Sequence, residues 1–221
     1  VTGGAGYIGS HVVRQLGEAG KHVVTLDNLI TGVREAVLYG DLVEGNTGDK
    51  DLVRRILDQY DVDTVLHFAA HTIVPESVSN PLKYYGNNTC STRSLLQACN
   101  ENGIKHFIFS STAATYGIPD APEGCNETTP TAPINPYGMS KLMSEYMLRR
   151  SDRIYTVMVP ALIIVAARDF AGSQLRGGGD VFADLMLQLT VAGFMGYLCY
   201  VQRSFVESFG TTEGLGRVSQ A

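Results

Sequence analysis

Val1-Thr2-Gly3-Gly4-Ala5-Gly6-Tyr7-Ile8-Gly9-Ser10-His11 opens the chain, and its reading decides the fold. Glycines at 3, 6 and 9 give G-x-x-G-x-x-G, a variant of the dinucleotide-binding fingerprint. Each glycine has a physical task. Gly3 allows a tight turn out of a first strand, Gly6 lets backbone approach a pyrophosphate, and Gly9 lets the next helix pack closely. A helix starting here aims its free N–H groups and positive dipole end at phosphates. About 20 residues on, His22-Val23-Val24-Thr25-Leu26-Asp27 reads as a second strand with an acid at its tip. There a carboxylate can accept hydrogen bonds from a ribose diol; a turn cap is the plainer alternative.

The 221 residues carry a net charge of −5 and are 44% hydrophobic, enough for one large core and a fraction more. The acidic balance and the lack of any Lys/Arg-rich run argue against a nucleic-acid surface. Cys90, Cys99, Cys125 and Cys199 form no C-x-x-C pair and read as reduced thiols, which points to the cytoplasm. The first residues lack the basic-then-apolar build of a signal peptide. Only Val1 and Thr2 precede the glycines, so the reading expects a longer first strand with residues before Val1.

Outward from the glycines, strand and helix alternate. Residues 8–20 suit an amphipathic helix (Ile8, Val12, Leu16, Ala19) stopped by Gly20. A short strand covers 41–44 and a helix 51–60, with Leu52, Ile56 and Leu57 inward. The largely apolar run 63–70 is a strand buried on both faces. A long helix runs from Pro81 to Asn102 and ends at Gly103; strand five and its exit cover 106–112. A proline-rich loop, 118–136, leads to a helix over 137–150 and a strand over 154–159. The alternation requires a parallel sheet with helices on both faces, so the fold class is α/β: a doubly wound parallel sheet of the Rossmann type.

Asn135-Pro136-Tyr137-Gly138-Met139-Ser140-Lys141 sets a tyrosine and a lysine four apart at a helix start, on one face. An ammonium beside a phenol favours the phenolate, so Lys141 is expected to lower the Tyr137 pKa and make it a base near neutrality. A surface i,i+4 pair is the ordinary alternative. Ser110-Ser111-Thr112, at the C-terminal end of strand five, favours the chemical reading, because open α/β sheets bind ligands at those strand ends.

Further segments complete an ordered set: Leu26-Asp27-Asn28-Leu29, His67-Phe68-Ala69-Ala70, Glu76-Ser77-Val78, Pro81-Leu82-Lys83-Tyr84-Tyr85, Asn87-Asn88 and Phe109-Ser110-Ser111-Thr112-Ala113-Ala114-Thr115-Tyr116-Gly117. With the glycine and Tyr137–Lys141 motifs, they resemble the UDP-glucose 4-epimerase family of extended short-chain dehydrogenases/reductases, over residues 1 to about 150. The resemblance implies NAD as cofactor, a UDP-hexose as substrate and a place in galactose metabolism. It assigns Tyr137 the proton of the sugar 4-hydroxyl and Thr112 a hydrogen bond to that hydroxyl. Lys141 would hold the nicotinamide ribose. It places Gly3, Gly6, Tyr7, Ile8, Gly9, Asp27, Asn28, Asn46, Phe68, Ala69, Ala70, Asn87, Ser110, Tyr137 and Lys141 at the cofactor. Asn46 stands where the family usually has an acid at the adenine ring, and an amide can still hydrogen-bond there. Asp27, with no arginine adjacent, favours NAD over NADP. The resemblance also implies a homodimer through the helices from Pro81 and Tyr137, with Leu95, Leu96, Cys99, Leu142 and Met143 as apolar candidates, some of which must face the sheet instead.

Two other readings compete. A nucleotide-sugar 4,6-dehydratase would need acidic residues where Ala113 and Ala114 stand, and neither alanine can move a proton. A non-catalytic NAD-binding module would keep the Rossmann half alone. The resemblance fades after about residue 157, where the family's Tyr-Phe-Asn segment has no counterpart and its uridine pocket is not recognisable. The division is therefore 1–160 as NAD-binding domain and 161–221 as a partial or atypical substrate region, with weak or absent epimerase activity expected. Val181 to Val201 is apolar enough to suggest a membrane span, but Asp184 and Gln188 inside it favour a packed or partner-covered helix. His67 and His71 would not share a helical face, and no metal site is read from them.

Overall fold

The computed structural model describes residues 1–118 and 129–150, and the backbone strand over 155–159. All of them belong to one compact unit, Val1–Ala161. Readings that concern 161–221, the apolar run from Val181 included, lie outside the described residues.

Among the described residues five parallel strands form the sheet: β1 (Val24–Asp27), β2 (Asp41–Glu44), β3 (Thr64–His67), β4 (His106–Ser110) and β5 (Tyr155–Val159). β1 pairs with β2, β3 with β4 and β4 with β5. Thr2 joins the two groups, bridging in parallel to Leu26 on one side and His67 on the other. The spatial order β2, β1, Thr2 segment, β3, β4, β5 therefore reverses direction at Thr2. In a doubly wound sheet that reversal opens a crevice at the C-terminal strand ends.

The helices are α1 (Tyr7–Glu18), α2 (Lys50–Gln59), α3 (Val74–Ser79), α4 (Pro81–Tyr84), α5 (Ser91–Glu101) and α6 (Pro136–Arg149). Local chemistry explains their starts. The Asp49 carboxylate accepts from the Leu52 N–H at 3.0 Å to cap α2, and the Asn135 side chain accepts from Gly138 N–H at 2.8 Å to cap α6. Pro136 occupies the first turn of α6, where its missing N–H has no consequence. Val53, Ile56 and Leu57 of α2 pack with Leu95, Leu96 and Cys99 of α5 and with Val65, Phe107 and Phe109 of the sheet. Each such Leu or Phe contributes about 1.5–3 kcal/mol of burial.

Three expectations need correction. The expected strand over 63–70 stops at His67: Phe68 N–H makes its last sheet bond, to Thr2 O at 3.0 Å, and the Ala69 backbone then passes against Gly3. The expected helix over 81–102 contains a π-helical turn, Tyr85–Cys90, between α4 and α5, and α3 precedes it. Leu95, Leu96, Cys99 and Leu142 are buried within the chain's own core, so of the dimer candidates only Met143 is exposed.

Candidate functional site

The glycine turn has the form its spacing implies. Gly3 holds φ +70°, and a Cβ there would lie 2.5 Å from Ala69 N. A Cβ on Gly9 would lie 2.1 Å from Gly3 O, so α1 can start this close to the turn only with glycine. Gly6 differs: a Cβ there would meet just Gly3 O, at 3.3 Å, which leaves its outer side open. Gly6 is also the N-cap of α1, and no side chain caps it. Open backbone at an uncapped helix start is a cradle that suits a pyrophosphate. Tyr7 is exposed with its ring edge-on to His11, while Ile8 is half-buried.

Asp27 ends β1 beside this turn and is buried. Its Oδ2 accepts from Ala5 N–H at 3.0 Å and its Oδ1 from Leu29 N–H at 2.9 Å. The carboxylate thus braces the glycine turn and holds Leu29 at φ +56°. Asn28 accepts from Ile30 N–H at 3.2 Å, and Asn46 accepts from Gly48 N–H at 2.7 Å, each in a local turn. Asn46 is exposed at the C-terminal end of β2.

Phe68, Ala69 and Ala70 follow β3 and are half-buried. Behind them Asn88, in the π-helical turn, is almost wholly buried. Its Oδ1 accepts from His71 N–H at 2.8 Å, and its Nδ2 donates to His71 O and to Ser140 Oγ, both at 3.0 Å. One amide therefore ties the loop after β3 to α6. The neighbouring Asn87, assigned to the cofactor by resemblance, donates to Asn88 Oδ1 at 3.1 Å. The role of Asn88 was not read from the sequence; the doubled Asn87-Asn88 was its one visible trace.

Tyr137 and Lys141 lie one turn apart on α6, both buried, against the exit of β4. The Thr112 side chain lies near enough to the Tyr137 phenol to favour its ionised form. Lys141 Nζ donates to Ser110 O at 2.9 Å and sits 4.9 Å from the centre of the Phe109 ring. Burial lowers the Lys141 pKa to about 8, opposed by the Glu145 carboxylate. Here the expectation about Tyr137 is corrected: burial raises its pKa, and the Thr112 side chain is what pulls it down. Lys141 has turned its ammonium to the Ser110 carbonyl. Tyr84 closes the floor, wholly buried and edge-on to Tyr137 with ring centres 6.4 Å apart.

The site thus joins a dinucleotide cradle and a Tyr–Lys pair on the same C-terminal edge of one doubly wound sheet, which defines a nucleotide-dependent enzyme fold of the short-chain dehydrogenase/reductase kind. Residues 1–167 match the NAD dependent epimerase/dehydratase family, and the chain belongs to that family. It is 53% identical over 150 residues to a UDP-glucose 4-epimerase of Azospirillum brasilense, covering 67% of this chain and 43% of that one. A UDP-glucose 4-epimerase of Streptococcus mutans is 49% identical over 160 residues, covering 71% and 48%. Among solved structures, the Brucella ovis UDP-glucose 4-epimerase in complex with NAD superposes with a TM-score of 0.70 and 42% identity, covering 72% of this chain and 50% of that one. The Thermotoga maritima enzyme with UDP-glucose gives 0.66 and 35%, covering 71% and 52%. The chain spans about half the length of the curated relatives it matches.

Proposed function

We propose that the chain binds NAD and provides the cofactor and proton-transfer half of an enzyme that interconverts UDP-galactose and UDP-glucose at sugar C4. The observation that carries this reading is the convergence of Tyr137, Thr112 and Lys141 beside the β4 exit, on the sheet edge that bears the open glycine cradle. The glycine turn and α1 N-terminus would hold the pyrophosphate, with Tyr7 and Ile8 at its rim. Asp27, Asn28 and Asn46 would face the adenosine, and Phe68–Ala70, Asn87, Ser110 and Lys141 the nicotinamide end. Asp27 disfavours the 2′-phosphate of NADP by like charge. When bound, NAD supplies a hydride acceptor and donor at C4.

The chain's own residues move the proton. Tyr137 Oη exchanges a proton with the sugar 4-hydroxyl, and Thr112 Oγ1 steadies both oxygens. The Lys141 ammonium is protonated at neutral pH, its pKa being about 8. Residues 1–160 make up the NAD-binding domain in this reading, and 161–221 part of the substrate region. The working form is a cytoplasmic homodimer. Free thiols at Cys90 and Cys99 support the compartment, and the outward Met143 and Tyr146 of α6 support the dimer. No helix among the described residues is long and apolar enough to cross a membrane.

The test is mass spectrometry of nucleotide released from the purified chain, with an assay of UDP-galactose conversion. NAD should be released. Tyr137→Phe should leave NAD bound and lower any turnover by about 100-fold or more. Turnover unchanged in that variant would remove Tyr137 as the proton-transfer group.

A further inference from the structure

Glu145 lies one helical turn beyond Lys141 and is buried, yet the proposed chemistry gives it no task. Its Oε1 accepts a hydrogen bond from Ser111 Oγ. Its Oε2 meets the Arg149 guanidinium at 3.3 Å, and Arg149 is largely exposed. Three successive turns of α6 therefore grip three consecutive residues of the β4 exit. Tyr137 pairs with Thr112, Lys141 with the Ser110 carbonyl, and Glu145 with the Ser111 hydroxyl. A buried carboxylate is retained only when paired, and this one is paired on both oxygens.

We propose that Glu145 is a positioning residue of the Tyr137–Lys141 site: its carboxylate fixes Ser111, and with it the adjacent Thr112, and balances the buried charge of Lys141. The groups around Lys141 make Glu145 the decisive one. From β3 comes His67, which is neutral; from β4 come the Phe109 ring and the Ser110 carbonyl; from α6 come Tyr137 and Glu145. Glu145 is the carboxylate whose charge acts on Lys141. The catalytic meaning rests on the proposed function, but the geometry and its test do not.

The chain has lysines at 21, 50, 83, 105 and 141 only, so carbon-13 labelling at lysine Cε gives a readable titration by NMR, without nucleotide. Wild-type Lys141 should titrate near about 8. Glu145→Gln, which keeps an acceptor for Ser111 but loses the charge, should move that midpoint down by about one pH unit. Glu145→Asp keeps the charge and should leave the midpoint near wild type. A midpoint unmoved in Glu145→Gln, or lowered as far in Glu145→Asp, overturns the charge role. The positioning role is read separately by hydrogen exchange of Ala114 N–H, which donates to Thr112 Oγ1 at 3.3 Å, and Thr115 N–H, which donates to Thr112 O at 3.3 Å. Ser111→Ala should speed both by about tenfold; unchanged exchange overturns it, even if Glu145→Gln does not fold. A chain that binds no NAD but gives these shifts would refute the proposed function and leave this inference standing.

Discussion

The stability of the fold should fall in mild acid, and one histidine should account for a defined part of the fall. His67 ends β3 with 1% of its surface exposed. Thr92 Oγ1 donates its own proton to Asn88 O at 2.5 Å, so it must accept from His67 Nε2–H at 2.8 Å. Nδ1 is then the acceptor from Thr2 Oγ1, at 2.6 Å. Both ring nitrogens are satisfied in the neutral form, and burial, aided by the Lys141 charge, lowers the pKa to about 3. The unfolded chain binds this proton below the ordinary value of 6.5, and the folded chain does not until about 3. The stabilisation is therefore present above pH 6.5 and drains as pH falls toward 3, at about 1.4 kcal/mol per pH unit. From pH 6.5 to 5 the loss is about 2 kcal/mol. Urea unfolding at pH 7, 6 and 5, followed by circular dichroism because the chain has no tryptophan, measures it. His67→Gln keeps polar contact with both threonines without titrating, so its pH 7 to 5 loss should be smaller than wild type's by about that amount. Equal losses in the two proteins would refute the reasoning.

Lys141→Met should stabilise the protein at pH 7. The folded pKa of about 8 against 10.5 implies about 3 kcal/mol of charge-burial cost, and losing the Ser110 and Phe109 contacts leaves a net gain of about 1 kcal/mol. The gain should shrink as pH rises from 8 to 10.5, and a destabilised variant in urea would contradict it. Asp27→Asn leaves one of the Ala5 and Leu29 N–H groups facing an NH₂, so unfolding should be easier by about 2 kcal/mol; a change below about 0.5 kcal/mol would mean that the brace is unimportant. Gly9→Ala, whose Cβ meets Gly3 O at 2.1 Å, should weaken NAD binding by calorimetry at least about tenfold. Gly86→Ala, with nothing within 4 Å, should leave affinity unchanged; equal effects would deny the turn its role.

How much of this was legible beforehand follows from the range of each interaction. Thr2, Asp27 and His67 sit at strand ends that hydrophobic runs reveal, so the sheet could be read in order. The β2 segment appears as read, at Asp41–Glu44. The glycine turn is local, and spacing alone conveys it. The π-helical turn was not legible, because Tyr85–Cys90 continues a helical pattern on both sides and a pair of asparagines does not announce a widened turn. The bonds of Asn88 to His71 and Ser140 cross 17 and 52 residues, and that of Glu145 to Ser111 crosses 34. Such pairs exist only once the sheet has brought its C-terminal ends together. Which of the dimer candidates face the sheet was hidden for a related reason: a helix packed against both sheet and neighbour shows apolar residues that periodicity cannot apportion.

The same distinction explains why Tyr137 and Lys141 were found while their electrostatics were misread. Sequence places them four apart, and on an open helix surface the ammonium would lower the phenol's pKa. In the folded chain both are taken from water, and burial acts on them in opposite senses: it lowers Lys141 and raises Tyr137, in each case against the charged form. His67 is displaced the same way. Burial pushes these three groups, and Tyr84 beside them, toward neutrality, so Tyr137 is a phenol at pH 7. The groups that oppose this push come from elsewhere in the fold: Thr112 on Tyr137, and Glu145 on Lys141. Removing Lys141 therefore relieves the fold of a burial cost while taking from the site a positive charge against the β4 exit. Stability and the proposed chemistry are set in opposition at that residue, and the Glu145 carboxylate, which raises the Lys141 pKa against burial, offsets part of the cost.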